Sequence, residues 1–106
     1  MDNFKILHKI LHTLEIAMDS EQFDMSEISH ERFGITEARW CQLIKMLIDN
    51  GYIEGITLKY TLDGEPILGV TRPAITLKGL EYLEENSMMK KAYRLIKGIT
   101  EVTSGM

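Results

Sequence analysis

Arg39, Gln42 and Lys45 recur at three-residue intervals in a stretch that reads as one helix, and their side chains are those that recognise nucleic acid. A guanidinium or an ammonium can contact the guanine edge, and a side-chain amide can hold adenine through two bonds. Ala38 and Met46 share or flank the same outer surface. Thr36 stands where the helix would start, and it could hold a phosphate with the free N–H groups of that end. Lys59, Tyr60, Thr61 and Arg72 follow in a β-rich stretch and would reach the nucleic-acid backbone. Such a set implies a helix in the major groove with flanking phosphate contacts. The competing reading is an ordinary solvated helix face, because Glu37 and Asp49 offset the two cations of the helix.

Other constellations are weaker. His8 and His12 lie one helical turn apart with Glu15 on the same side, a spacing that can hold zinc, but a structural site needs four ligands and no nearby cysteine completes it. His30 stands alone. Cys41 follows Trp40 and has Lys45 four residues on, which is thin support for a lowered thiol pKa, so it reads as a small residue at the edge of the core. The carboxylates are scattered over helix surfaces, and no Ser-His-Asp or Cys-His context suggests catalysis. Glycines 51, 55, 64, 69 and 79 form no phosphate-cradling loop. Neither an enzyme, a metal nor a cofactor is expected.

The chain of 106 residues suits one domain, expected over residues 1–98 with a flexible tail at 99–106. No apolar run approaches the ~20 residues of a membrane span. The start, Met1-Asp2-Asn3-Phe4, has no signal-peptide pattern, and one cysteine fits a reducing compartment, so a cytoplasmic protein with no membrane partner is expected. The net charge of −4 argues against a strong nonspecific polyanion binder. Charge is uneven: residues 19–35 sum to −4, whereas Lys90, Lys91, Arg94 and Lys97 give residues 87–98 a sum of +4. The basic cluster could touch phosphates or an acidic partner, but a solvated face is the better reading.

The elements that must position these residues are legible. Phe4, Leu7, Leu11, Leu14 and Met18, widened by Ile10 and Ala17, make the stripe of a first helix of about four turns. Asp24 and Glu27 form a capping-box pattern for a short second helix with Met25 and Ile28 inward, broken at Phe33-Gly34-Ile35. Thr36 caps a third helix whose Trp40, Leu43, Ile44, Leu47 and Ile48 follow the core periodicity, and Asn50-Gly51 stops it. Two β-rich runs then flank Asp63-Gly64, a strong hairpin signal, with Pro66 and Pro73 expected at strand edges or ends. Thr76 caps a fourth helix carrying Leu77, Leu80 and Leu83, in which Gly79 implies close packing. Asn86-Ser87 leads into a fifth, with Met89, Ala92, Tyr93 and Ile96 as its stripe.

Helix, helix, helix, hairpin, helix is the plan of an α+β winged helix-turn-helix: a three-helix core, a small antiparallel wing and two C-terminal helices. Phe33-Gly34-Ile35, Arg39-Trp40, Asn50-Gly51-Tyr52-Ile53 and the run from Ile75-Thr76-Leu77-Lys78-Gly79 to Glu85-Asn86-Ser87 resemble the YjcQ family of Bacillus and related phages over nearly the full length. The resemblance implies a winged-helix fold, and fold does not imply function. The leading expectation is a bacterial or phage DNA-binding, transcription-control module acting on double-stranded DNA. In it the helix of about residues 36–50 enters the groove and the hairpin tracks the backbone. The alternative is a protein-interaction module of the same fold. A homodimer is compatible with either.

Overall fold

The computed structural model describes residues 2–86. The expected fifth helix, its basic cluster Lys90, Lys91, Arg94 and Lys97, and the tail 99–106 lie outside the described residues. Within them the architecture is mixed α+β. Helix α1 (Asn3–Ile16) is followed by two short 3₁₀ segments (Ala17–Asp19 and Met25–Ile28), a one-turn helix α2 (His30–Phe33) and helix α3 (Glu37–Asp49). An antiparallel pair, β1 (Ile53–Tyr60) and β2 (Pro66–Ile75), comes next, and residues 77–86 form helix α4.

One hydrophobic cluster joins α1, α3, the base of the hairpin and α4. Ile6, Ile10, Leu11, Leu14, Ile28 and Ile44 are fully buried, each stabilising the fold by about 1.5–3 kcal/mol relative to exposure. The buried face of α1 is rotated from the expected stripe. Ile6 takes the place of Phe4, which is 73% exposed, and Met18 is exposed because it falls in the 3₁₀ segment, where the 100° step of the α-helix no longer holds.

The expected second helix is two pieces. The Asp24 carboxylate accepts from Ser26 N–H at 2.9 Å rather than from the third helical residue, so the capping box is replaced by a tighter turn. Extended backbone at Ser29 then separates the 3₁₀ segment from α2. Gly34, in the left-handed region at φ 65°, ends α2 and turns the chain into α3. Trp40 ties these pieces down: its indole Nε1 donates to the Ile28 carbonyl at 2.7 Å in the buried interior.

The hairpin is not a two-residue loop. Gly64 N–H bonds the Thr61 carbonyl, Thr61 N–H bonds the Glu65 carbonyl, and only Gly64 (φ 83°) has positive φ. A type I′ turn would need positive φ at Asp63 as well, so the chain uses a three-residue loop with the glycine in the left-handed position. Pro73 sits inside β2 rather than at its end. The register passes from Glu54↔Ala74 to Ile56↔Val70, so Thr71, Arg72 and Pro73 face Gly55 alone across an irregularity, where a missing N–H costs no ladder bond. Gly55 has φ 81°, and a Cβ there would collide with the Arg72 carbonyl.

Thr76 caps α4 as expected, accepting from Gly79 N–H at 3.1 Å while its hydroxyl donates to the Gly51 carbonyl. A Cβ on Gly79 would strike the Tyr52 carbonyl and Ile75 side chain. Leu83 is buried, but Leu77 at the first turn is exposed, so the α4 stripe begins one turn later than its leucines suggest.

Candidate functional site

The core fixes which face of α3 meets solvent. Trp40, Cys41, Leu43, Ile44 and Leu47 point inward. Ala38, Gln42, Lys45 and Met46 are therefore exposed together on the outer side. Thr36 starts the helix, and its hydroxyl already accepts from Arg39 N–H at 3.2 Å. Cys41 is buried, and burial pushes its thiol above the usual range, with the Glu37 carboxylate adding to the rise. That is the opposite of an activated nucleophile.

The cations of this face are occupied. Arg39 Nε donates to the Asn3 side-chain oxygen at 2.9 Å, tying α3 to the start of α1. Lys45 Nζ lies 2.6 Å from the Asp49 carboxylate one turn on. That hydrogen bond, then the carboxylate's charge and more weakly Tyr60, hold the Lys45 pKa above its ordinary value.

The register divides the expected wing residues between two faces. Directly paired residues in an antiparallel ladder project to the same side. Ile56 with Val70, Leu58 with Leu68, and Tyr60 with Pro66 form one face, while Thr57 with Gly69 and Lys59 with Ile67 form the other. Lys59 and Tyr60, expected to act together, thus point apart. Arg72 is exposed in the irregularity, away from both. The first face is apolar throughout. It runs from buried Ile56 through half-buried Leu58 to Val70, Leu68 and Tyr60, which are 42%, 40% and 47% exposed. Leu62 at the loop is fully exposed. Sequence periodicity places Leu58 and Leu68 on a strand but cannot reveal that their shared face runs past the end of the core.

The electrostatic balance follows. Residues 36–75 carry four cations, Arg39, Lys45, Lys59 and Arg72, against five carboxylates, Glu37, Asp49, Glu54, Asp63 and Glu65. Among the described residues no group of three or more His, Cys, Asp or Glu side chains is placed to hold a metal ion, and no helix is long and apolar enough to cross a membrane. His8 and His12 stack, with ring centroids 6.1 Å apart, and His30 Nδ1 lies 3.3 Å from the Ile35 carbonyl.

Comparison with known proteins settles the relationship. The family profile described as YjcQ protein matches residues 8–102. An uncharacterized YjcQ protein of Bacillus subtilis (strain 168) is 35% identical over 89 residues, which cover 83% of this chain and 92% of the relative. The chain belongs to the YjcQ family. No solved structure matches it. Membership in the YjcQ family brings no activity with it, so function is argued from the surface just described.

Proposed function

We propose that this YjcQ-family chain is a winged helix-turn-helix module that works through protein contact, the apolar face of its hairpin packing on a second copy of the chain. Support for the winged-helix reading is the order of elements, the Gly34 turn into a capped α3 and the hairpin that follows directly. The observation that carries the contact reading is the continuous apolar face of Leu58, Tyr60, Pro66, Leu68 and Val70, which leads outward from the core. Contiguous exposed apolar surface of this kind marks interaction sites. A wing that tracks DNA backbone would gather its cations on one face, whereas here Lys59 lies on the face opposite Tyr60 and Arg72 lies in the irregularity. A second copy suits the face because it is apolar on both strands, and the charges around it nearly cancel, so two such faces can meet by a twofold rotation without net repulsion.

The test is sedimentation equilibrium of the wild-type chain and Leu68→Glu, with amide spectra confirming that both fold. A wild-type dimer that Leu68→Glu renders monomeric is the expected result, and a monomer in both overturns it.

Direct DNA reading by Thr36, Ala38, Arg39, Gln42, Lys45 and Met46, with Lys59, Tyr60 and Arg72 on the backbone, is the second reading. The exposed outer face of α3 behind the Gly34 turn favours it. Salt-sensitive amide shifts on residues 36–46 and the hairpin, produced by a mixed-sequence duplex, would replace the first reading with this one.

A further inference from the structure

Away from the hairpin, α1 and the segment from Ser20 to Phe33 enclose an open cleft of about 510 Å³. Cationic and hydrogen-bonding side chains stand on both walls. Lys9, His12 and Thr13 come from α1, and Gln22 and Arg32 come from the opposite side. Ile16, Ala17 and Phe33 supply an apolar lining, and Glu27 is the cleft's carboxylate. Among the described residues, neither the Lys9 nor the Arg32 side chain has a hydrogen-bond or ion-pair partner. The protein carries a net charge of −4, yet this concavity has two lysine and arginine charges against one carboxylate.

We infer that the cleft between α1 and α2 binds a small phosphate ester, its dianion held between Lys9 and Arg32 and its body laid against Ile16, Ala17 and Phe33. Arg offers a planar fork of donors that matches phosphate oxygens, and Lys a compact charge. His12, Thr13 and Gln22 add further donors around the head. The volume falls within the range of small-molecule pockets and exceeds what inorganic phosphate would fill, which is why an esterified body is part of the assignment. Glu27 repels the ligand's charge and so limits its affinity.

The experiment is an amide-shift titration of the full chain with inorganic phosphate and, separately, adenosine monophosphate, using adenosine as the uncharged control. Saturable shifts on residues 9–17, 20–22 and 32–33 are expected with adenosine monophosphate, with weaker ones from inorganic phosphate and none from adenosine. Arg32→Gln and Lys9→Gln, both at exposed positions, should each weaken binding by about tenfold, the scale of one charge-assisted contact. Glu27→Gln should tighten it, an opposite sign that general loosening of the fold would not produce. Absence of saturable shifts with either phosphate, shifts equal with adenosine, or an affinity unchanged in Arg32→Gln would overturn the assignment. The readout is independent of the hairpin: Leu68→Glu should bind the probe as the wild type does.

Discussion

On the outer side of α3, Lys45 is held 2.6 Å from Asp49 and Arg39 donates to Asn3, whereas in the cleft beside α1 neither the Lys9 nor the Arg32 side chain has such a partner among the described residues. Each region owns two cations within one small fold. The difference lies in what each side chain can reach. An i,i+4 carboxylate toward a helix end captures a lysine, and the start of α1 offers an acceptor to Arg39. Arg32, on a one-turn helix bounded by Ser29 and Gly34, has no residue one full turn on within its own helix. Charge available to a ligand is therefore what remains after the protein has satisfied itself. By that measure the outer side of α3 is poorer than the cleft, while the hairpin beside it carries Lys59 and Arg72 together with exposed apolar surface.

The widest break in this comparison is Trp40→Ala. The indole lies at the junction of the two regions, joining α3 to the 3₁₀ segment that leads into the cleft wall. Its removal should cost about 3–5 kcal/mol from lost burial and the cavity together, with the Ile28 carbonyl left unsatisfied in addition. Urea unfolding would measure this, and both probe binding and self-association should fall together.

Gly55→Ala should separate the regions. Positive φ and the collision with the Arg72 carbonyl confine the damage to the hairpin, at a cost of about 1–3 kcal/mol. Self-association should weaken while adenosine monophosphate still binds the cleft. Equal loss of both would mean that the two surfaces are coupled.

The smallest effect is expected from Asp49→Asn, which releases Lys45. If pairing is what silences the α3 face, this variant should show weak, salt-sensitive amide shifts on residues 42–46 with a nonspecific duplex at low salt, where the wild type shows none. A wild type that already responds would show that the pair opens readily to phosphate.

Much of this was legible in the chain. The 3.6-residue periodicity of α3, the Thr36 and Thr76 caps and the Gly34 turn are local properties, set by neighbours within one or two turns, and the structure contains each of them; the close packing that Gly79 implied is present too, but against the Tyr52 carbonyl, a partner that folding supplies. Local chemistry also marks Arg39, Gln42 and Lys45 as exposed or flanking on α3. Only the tertiary structure decided the phase of α1, because Phe4-Leu7-Leu11 and Ile6-Ile10-Leu14 are overlapping stripes and the choice between them depends on what packs opposite. It decided that Lys59 and Tyr60 face apart, since a strand's faces acquire meaning through register. It also assigned Arg39 to Asn3, 36 residues away, and brought Lys9 and Arg32 to one cleft. Sequence spacing determines which side chains share a surface within an element. Which surfaces are covered, which charges are neutralised and which remain open depends on contacts between residues far apart in the chain, and those exist only once the chain has folded.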